Sequence, residues 1–407
     1  MVLSLVIEIG IITVLLILNI RVISKATPNV VLLFIIWTVV RIALLYYQTQ
    51  HGDLPMSGTD WGVFHSNAIN IMNNAHGLLD LLNPSATMIN RGDFYERIVA
   101  VVYTFLGVRT TYMYLFSYIM SETTFLLIYK ISLEVCWDYN RSIIAAMIFY
   151  LWPMETIYSV AFLREMAIQC CFAISLLFFV RFLKRSRIWN IVLALFFAYF
   201  CAGMHSGMVA VFAGYIAVFF FYSPRTKEIK ITLPRIVCVL GFIILVYGSG
   251  ILNGVTGRFN NISSIGDVNA KLDSVEANTD YIGSAGSTWG AILQTPLRLF
   301  YYIASPLFWQ VRSGGTLIAF VLDGILRDVL IYRVYKNYTR IKESGTEYET
   351  LFKSFLILWL MTDLVFSWGT NNFGTAMRHR LKIFPVEIML MYVLGRTSGL
   401  VYGEGKK

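Results

Sequence analysis

The feature that limits this chain most is its recurring long apolar runs, such as residues 2–20, 30–47 and 161–182. A helix needs roughly 17–25 apolar residues to cross a bilayer, where every backbone polar group must be satisfied within the segment. By that rule the sequence divides into about eleven spans, at residues 2–20, 30–47, 112–133, 142–157, 161–182, 189–203, 207–222, 233–252, 316–332, 350–367 and 381–394. Composition points the same way. Charged residues are 14% of the chain, against about a quarter in a soluble domain. So little polar surface does not coat a water-facing globule. The expected fold class is an all-α polytopic membrane protein, with a single membrane domain over residues 1–407. Collagen, coiled-coil, disordered-tail and soluble-enzyme readings are excluded.

The net charge is +9, and its placement sets an expected orientation. Arg21 and Lys25 follow the first span, and Arg141 precedes the fourth. Arg181, Lys184, Arg185 and Arg187 follow the fifth, and Arg225, Lys227, Lys230 and Arg235 the seventh. Arg333, Lys336, Arg340 and Lys342 follow the ninth, and Lys406 and Lys407 end the chain. With the N-terminus outside, every cluster falls on the cytoplasmic side, as the positive-inside rule requires, and the C-terminus is cytoplasmic. The basic excess therefore calls for no nucleic-acid partner. The first run lacks a basic leader and a small-residue cleavage site, so it is expected to be a retained span. The five cysteines (Cys136, Cys170, Cys171, Cys201, Cys238) lie in or beside apolar runs with no CxxC spacing, which argues against a disulfide framework or a thiolate metal site.

Two long loops are expected outside, residues 48–111 and 253–315. In the first, Phe64, Ala68, Ile71, Met72, Ala75, Leu78 and Leu79 recur at helical spacing. That pattern predicts an amphipathic helix over residues 61–82, lying at the interface. Residues 97–108 are apolar but too short to span. The second loop is Gly-, Ser- and Asn-rich up to residue 288 and then aromatic over 297–309, another expected interfacial piece.

Four groups of ionisable residues lie near the predicted outer boundary, where a charge needs a partner or a wet cavity. Asp60 directly precedes the amphipathic helix. It is either the helix N-cap or a functional carboxylate, acting as general base on an acceptor hydroxyl or holding a divalent ion, and the two roles are compatible. His65 and His76 read as polar-face residues of that helix. Arg164 and Glu165, with Glu155 across a hairpin, form either a self-neutralised lock or a phosphate claw, since a planar guanidinium pairs two oxygens at once. His205, in Gly203-Met204-His205-Ser206-Gly207, is either a satisfied hydrogen-bonder or a group that orients an acceptor or touches phosphate. Arg378, His379 and Arg380 run against the positive-inside trend. They meet either anionic headgroups or an anionic ligand such as a lipid diphosphate. Arg298 and Arg312, and Arg91 and Arg97 from the first loop, extend this outer basic set. One carboxylate without a second is a poor hard-cation site, so a divalent cation is at most an accessory and no metal ligands are assigned.

No P-loop, dinucleotide-binding glycine pattern, HExxH or GxSxG with partners is present. Asp323 and Arg327 lie one helical turn apart in the ninth span and are expected to neutralise each other.

The order of these features has a resemblance. Two spans lead to Gly58-Thr59-Asp60-Trp61, with Phe64 beyond. Arg164-Glu165 with Ala167 opens a span, a basic inner turn follows, and His205-Ser206 comes after another span. Arg378-His379-Arg380 precedes a last span containing Pro385. The layout resembles the bacterial membrane polymerases that join lipid-linked oligosaccharide repeats into capsule, exopolysaccharide or O-antigen. It is also similar to the GT-C superfamily of polyprenyl-phosphate-sugar glycosyltransferases, in which an acidic residue of the first outer loop is catalytic. Two spans before the acidic loop, where the GT-C pattern has one, favour the polymerase group.

The resemblance implies a multi-pass enzyme of the bacterial inner membrane working on the extracytoplasmic face. Its donor would be a sugar or repeat unit on a polyprenyl phosphate or diphosphate, and its acceptor a growing glycan. The lipid tail would lie between spans and the phosphates would face Arg164, Arg298, Arg312, Arg378, His379 and Arg380. Asp60 or His205 would be the base. A transporter or flippase of such lipids is the alternative of another class; long structured outer loops and the lack of an evident inverted repeat speak for the enzyme.

Overall fold

A computed structural model describes residues 2–51, 54, 60–82, 94–223, 226, 228–248, 288–341, 347–370 and 372–395. Ser57, Gly58, Thr59, Arg91, Arg225, Lys227, Lys342, the C-terminal lysines and residues 253–287 lie outside the described residues. The described residues are mostly helical, consistent with an all-α protein. Among the described residues three helices are long and apolar enough to cross a membrane: Pro28–His51, Glu165–Arg185 and Glu347–Trp368. Phe94–Leu106 and Thr110–Cys136 pass that test only as a pair, bent by 118°. Ile9–Ile23, Ile188–Met204, Ser206–Phe221 and Phe384–Val393 are shorter apolar helices. Apolar side chains such as Val14, Leu32 and Val39 stand exposed on the first two helices, which fits a protein whose solvent there is lipid.

Local chemistry explains where helices break. Gly107 stands between Phe94–Leu106 and Thr110–Cys136 at φ 96°, a backbone conformation that suits a residue without Cβ, and its N–H closes the first helix on the Tyr103 carbonyl. The run 142–157 is one apolar stretch in sequence but two helices, Tyr139–Leu151 and Pro153–Tyr158. Pro153 supplies no N–H and begins the second. The amphipathic segment 61–82 is likewise divided, into Trp61–Asn74 and Leu78–Leu82, at Gly77. The ninth run extends beyond its predicted end, from Gly314–Ala319 through a π turn at Phe320–Gly324 to Ile325–Ile341.

Glu165–Arg185 lies at the centre, packed on Thr110–Cys136 and Ile188–Met204. Val2–Ile23 and Tyr139–Leu151 pack on the other sides of Thr110–Cys136. Val209–Phe221 and Thr288–Ala304 pack against Glu347–Trp368. A buried polar network fastens the first half. Arg41 donates from Nη1 to Ser121 Oγ at 2.9 Å and from Nη2 to the Tyr150 carbonyl at 2.8 Å. Its guanidinium lies 3.9 Å from the Tyr150 ring centroid. Glu122 accepts from Tyr150 Oη at 3.0 Å and from Asn19 Nδ2 at 2.5 Å. Each buried charge thus has several polar neighbours, without which it would cost several kcal/mol.

The short helix Phe373–Leu381 decides where Arg378, His379 and Arg380 go. Asn372 caps it, its Oδ1 accepting from Thr375 N–H at 2.8 Å. It packs on Pro153–Tyr158, Glu165–Arg185, Thr288–Ala304 and Glu347–Trp368. A helix held on so many sides sends its side chains to different neighbourhoods according to their angular position.

Candidate functional site

Asp60 sits at the N-terminus of Trp61–Asn74, yet its backbone is already helical (φ −65°, ψ −16°) and its side chain caps nothing. The carboxylate is turned to Arg378 instead. Arg378 Nη2 donates to Asp60 Oδ2 at 2.8 Å and to Glu165 Oε1 at 3.1 Å. Glu165 is the first residue of the central helix and its side chain is 1% exposed. Asp60 is 48% exposed and Arg378 16%. A buried carboxylate therefore anchors a guanidinium that holds an accessible one. Burial works against the charge of Arg378, but Glu165 and Asp60 outweigh it and hold its proton more firmly than usual.

Lys382 approaches the same Glu165 oxygen from within, with Nζ 3.8 Å from Oε1 and the side chain fully buried. Its ammonium lies 5.4 Å from the Phe366 ring centroid. Phe366 joins the cluster to two imidazoles, His379 at 4.7 Å and His205 at 5.4 Å between ring centroids. The two imidazoles are edge to face at 4.8 Å. Gly207 makes this possible, since a Cβ there would lie 2.5 Å from Phe366 Cε1. His205 Nδ1 accepts from the Gly207 N–H at 3.1 Å. In the neutral ring that leaves the proton on Nε2, so His205 presents a donor. His379 Nδ1 is 3.1 Å from Thr370 Oγ1. Burial, then the charges of Lys382, Arg378 and Arg164, press the His379 imidazole well below its ordinary proton affinity and keep it neutral. Arg164 lies just before Glu165, donates from Nη1 to the Met204 carbonyl at 3.1 Å, and stands 5.4 Å over the Phe64 ring.

The structure thus gathers Asp60, Glu165, Arg378, His379 and His205, with Arg164 beside them, and leaves other residues of the predicted set elsewhere. Arg380 is two positions from Arg378, about 200° round the helix. It donates from Nη1 to the Tyr302 and Ile303 carbonyls at 2.7 and 3.0 Å and pairs with Asp323 at 2.6 Å, wholly buried. Arg327 pairs with Glu387 at 2.6 Å rather than with Asp323, one turn away on its own helix. Arg298 is buried, bonded to Gln294 at 3.1 Å and 5.6 Å over the Trp368 ring. Arg312 is exposed, and its backbone N–H donates to Thr316 Oγ1 at 2.8 Å. Arg97 donates to the Leu82 carbonyl at 3.0 Å. Glu155 takes its bond from Gln169 rather than joining a hairpin lock. His65 is no bare polar-face residue: its Nδ1 is 2.8 Å from Tyr103 Oη.

Lys382 and Phe366 were hidden in apolar runs. The signal for Lys382 is its spacing, four residues after Arg378, which puts it on the same helical face. Among the described residues no group of three or more His, Cys, Asp or Glu side chains converges as a metal site. Asp60 shares its carboxylate with a guanidinium, a competitor for any cation. No family model, no curated protein and no solved structure matches the chain.

Proposed function

We propose that the chain is a multi-pass glycosyltransferase of cell-surface polysaccharide assembly in the bacterial inner membrane. It has about eleven spans, with the Asp60 rim outside, the N-terminus outside and the C-terminus cytoplasmic. The donor is a sugar or repeat unit on a polyprenyl diphosphate, and the acceptor is the growing glycan. The observation that carries this proposal is the Asp60–Arg378–Glu165 arrangement. An accessible carboxylate and a partly accessible guanidinium are held together at 2.8 Å from opposite ends of the sequence, over a buried carboxylate.

The chemistry follows from that pair. An incoming diphosphate offers Arg378 more negative charge than Asp60 does and takes the guanidinium from it. Asp60 is thereby released beside the acceptor. The acceptor hydroxyl oxygen attacks the anomeric carbon and forms the new C–O bond. The anomeric bond to the diphosphate breaks, and polyprenyl diphosphate leaves with the electron pair. The hydroxyl proton goes to Asp60. Arg378 and Arg164 stabilise the charge that develops on the leaving group, and His205 Nε2–H is a further donor at the edge. Positioning and electrostatics supply most of the acceleration, because diphosphate leaves readily once its charge is held. A transferase using a polyprenyl monophosphate sugar would employ the same groups with a smaller anion.

One feature favours a competing transport reading. Asp323, Arg327, Asp363, Arg380 and Glu387 are buried ionisable groups deep among the helices, as in many membrane pathways. The two readings separate when purified protein in vesicles is given lipid-linked donor already on the face it uses. The transferase forms a new glycosidic bond. Movement of donor between leaflets without any product would replace it with a transporter.

A further inference from the structure

We propose that Lys382 is a ligand-binding residue, whose ammonium is the inner contact for a phosphoryl group whose outer contact is Arg378. This role rests on the anion site of the transfer reaction proposed above. Lys382 is fully buried, and its Nζ has no hydrogen-bond partner among the described residues. The 3.8 Å to Glu165 Oε1 is too long for a hydrogen bond. Three N–H donors are left unused where buried polar groups are normally bonded. Glu165 Oε2 is unbonded as well, so the whole contact between carboxylate and cations runs through Oε1. Arg378 and Lys382 meet at that one oxygen, 3.1 and 3.8 Å away. Two cations converging on one oxygen from successive turns of a helical face form a cradle for an oxyanion, and Glu165 Oε1 stands where a phosphoryl oxygen would.

The charges point the same way. Arg164, Arg378 and Lys382 face Asp60 and Glu165, so with Lys382 protonated the neighbourhood carries one more positive than negative charge. The far wall is the Phe366 ring, an apolar surface that leaves the ammonium little competition from water. The entrance is the Arg378–Asp60 pair, the accessible part of the cluster. A group with several oxygens on a tetrahedral phosphorus gives each cation an oxygen of its own, where Glu165 presents the same one to both. A free diphosphate and a lipid-linked one share that chemistry.

The test uses the full chain in nanodiscs of zwitterionic lipid, titrated with inorganic diphosphate and with polyprenyl diphosphate. Lys382→Met should weaken binding of the polyprenyl diphosphate at least about tenfold, the effect of losing one buried charged contact. Lys382→Arg should recover most of it, and the KM for donor should rise more than kcat falls. A parallel loss with inorganic diphosphate shows that the phosphoryl group alone suffices; a loss confined to the lipid form shows that the headgroup must be lipid-borne, and either result supports the contact. Native affinity in folded Lys382→Met overturns the Lys382 contact and leaves the transfer reaction standing. A native protein that binds neither compound overturns both. Should Lys382→Met fail to insert, ¹⁵N-lysine spectra of the native protein decide. Polyprenyl diphosphate must shift the resonance that Lys382→Arg removes, and an unmoved resonance overturns the contact.

Discussion

Two arginines in apolar surroundings show how one side chain serves different ends. Arg41 is fully buried among helices, with donors on Ser121 and the Tyr150 carbonyl, its plane over the Tyr150 ring and Glu122 nearby. Glu122 is in turn bonded to Tyr150 and Asn19. Arg378 also meets carboxylates, but a single nitrogen serves both Asp60 and Glu165, one partner is half exposed, and the neighbouring Lys382 ammonium has no hydrogen bond among the described residues. The first cluster is bonded inward from four helices and has no opening. The second hangs on one guanidinium nitrogen and faces outward. A buried charge surrounded by donors and acceptors fixes helix positions; a charge with an accessible, exchangeable partner is arranged for something that arrives later.

The sharpest way to break this comparison is to remove Arg41. Arg41→Met leaves Glu122 in the core without its cation, a loss of about 3–5 kcal/mol. The expected outcome in detergent is a much lower Tm or failure to accumulate, with transfer per folded molecule nearly unchanged. Native stability in the variant would erase the distinction. Arg378→Ala should do the reverse. Loss of one preorganised contact to the developing charge lowers the rate about 10²–10³-fold, while the half-exposed Asp60 pair contributes only about 1 kcal/mol to stability and buried Glu165, which loses its nearest cation, keeps Lys382 at 3.8 Å. Initial transfer rates per folded protein check it.

Gly207→Ala tests whether Phe366 holds the imidazoles and Lys382 together. The new methyl would meet the ring at 2.5 Å, and relief by repacking costs about 1–3 kcal/mol. A lower Tm with a raised KM for donor is expected, and an unaffected enzyme would remove Phe366 as the hub. The smallest effect concerns pH. The His379 pKa is depressed from 6.5 in the folded protein. The unfolded chain therefore takes up that proton first as pH falls, so stability present above 6.5 is lost below it. Unfolding measured from pH 7.5 to about 5 should show the decline, and His379→Gln should flatten it.

Much of the helical architecture was legible because hydropathy is local. The runs 112–133 and 189–203 fall inside Thr110–Cys136 and Ile188–Met204. The break at Pro153 was written in the sequence but averaged away by the apolar residues on both sides. Asp60 and Arg378 stood out as charges at predicted membrane edges, whereas their pairing spans 318 positions and depends on packing. Arg380 was grouped with Arg378 by adjacency, although a helix sends residues two apart to different faces. Its partner Asp323 lies 57 positions away. Lys382 was masked by the apolar run around it, even though its spacing from Arg378 marked a shared face.

The most direct measurement of the central claim is the initial rate of glycosidic bond formation from polyprenyl-diphosphate-linked donor by native and Asp60→Asn protein, at equal amounts of folded material in vesicles. If Asp60 takes the acceptor's proton, the native protein forms product and the variant is slower by about 10²–10⁴-fold, with donor binding retained. Equal rates in the two would contradict the account.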